Sequence, residues 1–407
     1  MERFLARQPI LDRRQQVFAY ELLFRSGLDN FFEHPDGDQA TSQVIANSFL
    51  LFGIDTITGG AKAFINFTRR LLVEEYATVL PREATVVEIL ETVEPEPQVL
   101  RACRRLKELG YVLALDDFVY EPHFEPLLEL ADIVKVDFMA SGPEQRRELA
   151  QSLLPRGIQM LAEKVETREE FQEALDMGYS LFQGYFFSKP VIVARKDIPA
   201  SKLNYLRMLS ELNASDTSYT RLTQLIESDV GLSYRLLNYI NSAALGVRNQ
   251  VNSIRQALAL LGLREMRKWC SLMLLGGMSA GQPDELMVTC AVRAKFAELL
   301  APLLGLEDQA EDLFLMGLFS LLDVFLGRPL EELLSGLAIS DQVKEALVDG
   351  PGGGSPLAGA YALVLAQERG DWPELSRLCR ELGVEEEAIP ERFAQAVTWQ
   401  QEIFSAA

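Results

Sequence analysis

Between residues 17 and 187 one alternation repeats: a short apolar run rich in β-branched and aromatic residues, then a longer amphipathic segment. The runs are VFAYELLFR (17–25), AFINF (63–67), TVVEIL (85–90), YVLALDDF (111–118), DIVKVDF (132–138), QMLAEKV (159–165) and SLFQGYFF (180–187). Runs of this length and composition read as strands. The stretches 97–109, 144–154 and 168–177 carry helical spacing, and Gly110, Gly157 and Gly178 stand where such helices stop. Strands alternating with helices form parallel sheets. Seven of them in this span predict a closed, TIM-like α/β barrel; an open doubly wound sheet is the alternative.

The pattern changes near Pro199. From Ser201 onward apolar residues recur at i, i+3 and i+4, as in Leu222, Leu225, Ile226 and Leu232, Leu236, Leu237, Ile240. That is the spacing of an all-α domain. The expected organisation is a barrel over 1–191, a linker over 192–200 (IVARKDIPA) and a helical domain with a C-terminal extension over 201–407. A chain of 407 residues with 48% hydrophobic residues has the length for two domains and the apolar content for a core in each. The run DGPGGGSP (349–356) is expected to be a flexible loop between helices. No Lys-Ser/Thr follows it, so it is not a phosphate cradle.

Charge and rare residues exclude several functions. A formal net charge of −20 repels nucleic-acid backbones and anionic membranes. Partners are therefore expected among proteins, or small ligands held by metal ions. Four scattered cysteines without a CxxC pair read as buried free thiols in a reducing compartment. The start MERFLARQPI has no apolar signal region, and the uncharged stretch 269–283 is too short and broken to span a bilayer. A cytoplasmic location is expected. Only His34 and His123 occur, so the second half cannot assemble a histidine metal site or a Ser/His or Cys/His pair.

Each strand-like run carries a polar residue at or near its end: Glu21, Asn66, Glu88, Asp116 with Asp117, Lys135 with Asp137, Glu163 and Gln183. In a β/α barrel these ends converge on one rim, where active sites form. Gathering so many carboxylates costs several kcal/mol per ion unless cations balance them. Lys135 supplies one positive charge, and the remainder calls for bound metal. An all-oxygen donor set favours Mg²⁺ or Mn²⁺, with Ca²⁺ as an inhibitory or adventitious occupant, over Zn²⁺. Such a cluster suits two-metal phosphodiester hydrolysis. Arg25 has the chemistry to grip a phosphate.

At these residues the chain resembles a known family. The motifs Tyr20-Glu21-Leu22-Leu23-Phe24-Arg25, Asn66, Glu88-Ile89-Leu90-Glu91, Asp116-Asp117-Phe118, Lys135-Val136-Asp137, Ala162-Glu163-Lys164-Val165-Glu166-Thr167 and Gln183-Gly184-Tyr185 look like those of the EAL domain of cyclic-di-GMP phosphodiesterases. The resemblance implies that Glu21, Asn66, Glu88 and Asp116 hold a first metal, and Asp116, Asp117 and Glu163 a second. It implies that Lys135 orients the attacking water and that Gln183 supports the site. Arg25 and Asp137 are the ligand-side residues, Arg25 on a phosphate, and Glu91 and Glu166 brace the loop after Asp117. The departures are local. The family's Asp-Asp-Phe-Gly-Thr-Gly loop reads Asp116-Asp117-Phe118-Val119-Tyr120-Glu121 here, stiffened by Pro122. Leu90 stands where Thr is usual and Lys164 where Gly is usual, and the stretch from Glu21 to Asn66 is short.

The second half resembles the HDOD domain, a helical relative of the HD hydrolases, through Asp229, Leu232, Leu236-Leu237, Asn241-Ser242, Val251, Ile254, Ala257, Leu261-Gly262 and Trp269. Where an HD hydrolase carries its metal-binding His-Asp, this chain reads Gly317-Leu318-Phe319-Ser320-Leu321. Asn241-Ser242 is expected to cap a helix end. Two functions remain open at this point. One is a metal-dependent phosphodiesterase that opens cyclic-di-GMP to linear pGpG, weak or conditional, regulated by the non-catalytic helical domain. The other is an inactive cyclic-di-GMP sensor or interaction scaffold. A protein partner is expected through the helical domain, and a homodimer is left open.

Overall fold

A computed structural model describes residues 3–26, 54–188, 200–214, 217–242, 250–279 and 282–406. Contacts divide the chain into two compact units, Met1–Lys189 with Gln367–Pro373, and Pro190–Ala366 with Glu374–Ala407.

The first unit is a closed eight-stranded barrel in sequential order. Its strands are β1 (Arg3–Asp12), β2 (Val17–Ser26), β3 (Lys62–Phe67), β4 (Thr85–Ile89), β5 (Val112–Leu115), β6 (Ile133–Asp137), β7 (Gln159–Glu163) and β8 (Leu181–Gln183). The seven predicted strands are β2 to β8, and these pair in parallel. The eighth, β1, corrects the expectation of seven strands in a wholly parallel sheet, because it runs antiparallel to both β2 and β8. Its run is interrupted by Arg7, Gln8 and Pro9, which hide the strand pattern. A tight turn joins it to β2: the Asp12 carboxylate accepts from the Arg14 and Gln16 amides at 2.8 and 2.9 Å.

The barrel interior is layered. One buried layer takes a single apolar side chain from each strand: Ile10, Ala19, Phe64, Val86, Ala114, Ile133, Leu161 and Leu181. Side chains two apart on a strand share a face. The next layer towards the C-terminal ends of β2 to β8 is therefore fixed by adding two to each number from Ala19 on. It reads Glu21, Asn66, Glu88, Asp116, Lys135, Glu163 and Gln183. On the reversed β1 the same layer lies two residues earlier, at Gln8. An apolar plug thus floors a ring of polar groups.

Outside the barrel, helices form at Pro97–Glu108, Pro143–Leu153 and Arg168–Met177, within a residue of the expected bounds. The last is set by a capping box between Thr167 and Glu170 and stopped by Gly178 at φ 97°.

The second unit is helical from Ala200–Asn213 to Ala388–Ala406, with no strand among the described residues. Leu222, Leu225, Ile226, Leu232, Leu236 and Ile240 are buried as the spacing requires, and Leu237 is half-buried. The expected linker lies outside the described residues, except Ala200, which opens a helix. The run 349–356 connects two helices through a short 3-10 turn, Gly350–Gly352. Asn241 caps its helix: its amide donates to the carbonyls of Leu237 and Val251, and its oxygen accepts from the Val251 amide. All four cysteines are free and buried. No described helix is long and apolar enough to cross a membrane.

The run Gly317–Leu321 serves packing. A Cβ at Gly317 would overlap the backbone of Arg293 and Ala294 on the facing helix Asp284–Leu300. Ser320 accepts from the buried Arg293 at 3.0 Å and donates to the Gly317 carbonyl at 2.8 Å. Gly317→Ala should therefore force these helices apart and cost at least about 2 kcal/mol. Urea unfolding followed by tryptophan fluorescence reads this, since Trp269 and Trp399 belong to the helical unit. An unchanged midpoint would contradict the close contact.

Candidate functional site

The polar layer is organised by one ammonium. Lys135 is 1% exposed, and its Nζ contacts Glu163 at 2.6 Å, Asp116 at 2.8 Å, Glu21 at 3.5 Å and the fully buried Glu88. Gln183 donates from Nε2 to Glu21 at 2.7 Å and to Gln8 at 2.9 Å. Asn66 donates to the other Glu21 oxygen at 3.4 Å. Five further strands, β3, β4, β5, β7 and β8, thus place a side chain at or just past their ends around Glu21 and Lys135, and β1 adds Gln8 beside Gln183. Sequence reasoning missed Gln8 because β1 was not read as a strand.

Charge balance is incomplete. Burial would lower the Lys135 pKa, but the carboxylates of Glu163, Glu21, Glu88 and Asp116 outweigh it and hold the ammonium well above the usual lysine range. Lys135 is therefore a fixed cation and donor. Burial drives Glu88 well above the carboxylate range, with the Glu21 charge adding and Lys135 opposing. Burial likewise pushes Glu163 up to about 8 against the pull of Lys135. Four carboxylates facing one ammonium cannot all ionise cheaply.

The donor set fits a hard divalent cation. Glu88 Oε2, Glu163 Oε2, Asn66 Oδ1 and Asp117 Oδ1 are buried oxygens without a hydrogen-bond partner. Two carboxylate triplets, Glu21/Glu88/Glu163 and Asp116/Asp117/Glu163, each offer ligand atoms within 4.8 Å of one another. The second triplet is the set expected for a second metal. The first differs from the expected Glu21/Asn66/Glu88/Asp116 group in having Glu163 as its third carboxylate, with Asn66 and Asp116 standing alongside. All the oxygens are of the kind Mg²⁺ and Mn²⁺ prefer.

The rim above this layer is strained. Asp117 and Lys164, the second residue beyond β5 and the first beyond β7, have positive φ of 38° and 53°. Non-glycine residues pay about 1 kcal/mol or more for such backbone, and it clusters at functional sites. Gly184, φ 139°, follows Gln183, and a Cβ there would overlap the Val165 backbone. These turns border a cleft of about 380 Å³ lined in part by Glu21, Asp117, Lys135, Glu163, Glu166 and Tyr185.

The remaining predicted residues sit around it. Asp137 accepts from the Met139 and Ala140 amides at 2.6 and 3.0 Å and from Lys164 at 2.5 Å. It thus ties down the loop after β6 and the Lys164 ammonium, which together hold its carboxyl below the usual range against the effect of burial. Glu166 is exposed on the cleft. Glu91 is exposed in a neighbouring cleft that it shares with Asp117, Phe118, Val119 and Glu121 of the altered loop. Pro122 opens a 3-10 turn, and Phe118 packs edge-on against Phe124. Arg25 belongs to β2, but its side chain lies outside the described residues.

Comparison with known proteins places the chain in a family. The EAL domain model matches residues 47–190 and the HDOD domain model matches residues 198–334. The uncharacterized protein YuxH of Bacillus subtilis is 38% identical over 407 residues, covering 98% of each chain. Cyclic di-GMP phosphodiesterase CdgJ of Vibrio cholerae is 37% identical over 403 residues, covering 98% of this chain and 93% of the relative. The chain belongs to the EAL–HDOD two-domain family. Among solved structures, a standalone EAL protein from Vibrio cholerae O395 in its c-di-GMP-bound form is 26% identical. It covers 46% of this chain and 92% of that chain, with a TM-score of 0.37. The EAL–HDOD barrel brings Glu21, Asn66, Glu88, Asp116, Lys135, Glu163 and Gln183 into one layer, as the strand ends require.

The raised Glu163 pKa has a defined sign. A carboxyl that titrates near 4.5 unfolded and near 8 folded stabilises the metal-free barrel below the lower value and loses that contribution as pH rises through 8. A divalent cation reverses this by favouring the carboxylate. Between pH 6 and 8.5 the metal-free melting temperature should fall, and the rise produced by Mn²⁺ should grow. Calorimetric Mn²⁺ titration near pH 7 should release protons; a titration without proton release would contradict the assignment.

Proposed function

We propose that this protein is a cyclic-di-GMP signalling enzyme whose barrel opens the cyclic dinucleotide to linear pGpG with divalent metal ions. One observation carries the reading: the buried layer of Glu21, Asn66, Glu88, Asp116 and Glu163 closes around Lys135 with oxygens left unpartnered. The near full-length likeness to a protein named as a cyclic di-GMP phosphodiesterase supports it.

Glu21, Asn66, Glu88 and Asp116 would hold one Mg²⁺ or Mn²⁺, and Asp116, Asp117 and Glu163 the other. When bound, such ions neutralise phosphate charge and lower the pKa of water. Lys135 is held as an ammonium and so acts by donation: it orients the water nucleophile and keeps the carboxylates together as charge shifts. Gln183, steadied by Gln8, fixes Glu21. Arg25 would grip the other phosphate, and Asp137, Glu91 and Glu166 would hold the loops around the ligand.

In this reading the barrel ends by residue 191 and the helical domain begins at 201. The helical domain regulates: its HD-like run is spent on packing, and it offers a surface for a protein partner. The protein acts in the cytoplasm.

A second reading, in which the barrel binds the dinucleotide without turning it over, is favoured by one contact, the Lys164 ammonium 3.6 Å from Asp117. Hydrolysis by the full-length protein with Mg²⁺ or Mn²⁺, followed by chromatography of pGpG, separates the two. The enzyme reading expects turnover that Glu21→Ala reduces by at least about 100-fold. Tight binding with no pGpG would instead make the protein a sensor.

A further inference from the structure

We propose that Lys164 is a resident counter-ion of the outer cation position, so that a divalent ion enters between Asp117 and Glu163 only by displacing its ammonium. The inference deepens the metal-dependent reading above and rests on it for its biological meaning, though not for its geometry.

Lys164 directly follows Glu163, whose side chain belongs to the buried layer. The left-handed backbone at Lys164, φ 53°, takes the chain out of the strand at that point. Its Nζ lies 2.5 Å from Asp137 Oδ2 and 3.6 Å from Asp117 Oδ2. Asp137 is anchored by two backbone amides, so it keeps the ammonium at the mouth. Asp117 Oδ1 and Glu163 Oε2 remain without hydrogen-bond partners. Both residues belong to the triplet Asp116/Asp117/Glu163, which therefore has a lysine at its edge before any metal arrives.

The two lysines of the rim differ in freedom. Lys135 is buried among four carboxylates and has nowhere to go. The Lys164 side chain is 49% exposed and can swing to water. A doubly charged ion at the outer triplet would sit beside this ammonium and be repelled by it. Among the described residues the Lys164 ammonium pairs with Asp117 and Asp137, not with Glu21 or Glu88, so the inner group is spared. The consequence is sequential loading: one divalent ion at low concentration, the second only at higher concentration or when a ligand's phosphates draw the lysine away.

Mn²⁺ titration of the full-length protein without nucleotide tests this, by calorimetry for affinity and by electron paramagnetic resonance for the spin coupling of adjacent ions. Lys164→Met removes the charge while keeping the side-chain length. Lys164→Gly removes the charge and also frees the backbone. Both variants should bind the second Mn²⁺ at least about tenfold more tightly than the wild type, leave the first within about twofold, and show the coupled signal at lower Mn²⁺. Equal second-site affinity in all three proteins would overturn the proposal. So would a gain confined to Lys164→Gly, which would assign the effect to the backbone. A chain that behaves as expected towards Mn²⁺ but neither binds nor cleaves cyclic-di-GMP would sink the functional reading and leave the counter-ion standing.

Discussion

One ammonium shared among four carboxylates holds the upper half of this barrel together. Lys135 reaches Glu21, Glu88, Asp116 and Glu163 from a position closed to solvent. A single positive charge does not offset four negative ones, and burial favours the protonated forms of Glu88 and Glu163. That is an expensive arrangement for stability alone, because apolar residues of the same volume would pack there without desolvation cost. The layer below shows the alternative: eight apolar side chains that need no partners. The polar layer makes sense as a place prepared for further cations.

The position of that layer follows from strand geometry. Each polar residue is two places beyond an apolar one on its own strand, so it shares the inward face and sits one step nearer the rim. The outer edge then depends on turns rather than strands. Asp117, Lys164 and Gly184 adopt backbone conformations that ordinary strand continuation does not allow, and the Lys164 ammonium faces Asp117 there at 3.6 Å. The inner position is set by the barrel and the outer by strained turns. The same division separates fixed Lys135 from exposed Lys164.

Much of this was legible in the sequence, for a physical reason. Strands buried on both faces are continuous apolar runs, so β2 to β8 stood out, together with the polar residue near the end of each. β1 escaped because Arg7, Gln8 and Pro9 break its run, and Gln8 escaped with it. Its position is recoverable afterwards by the two-residue step from Ile10. The seating of Asp137 was not legible either, since its hydrogen bonds to Met139 and Ala140 depend on the loop that follows. The reach of Lys164 to Asp137 depends on a φ angle that no pattern of residue types encodes. In the helical unit the apolar spacing located the buried face, while the use of Gly317 appeared only once the facing helix was in place.

The central claim is that the buried oxygens around Lys135 are cation ligands. Diffraction from crystals of the full chain soaked in MnCl₂, with data collected at the manganese edge, tests it most directly. The account predicts an anomalous peak bonded to Glu21, Asn66, Glu88 and Asp116. A well-ordered barrel with those four side chains unchanged and manganese bound only elsewhere on the surface would contradict it.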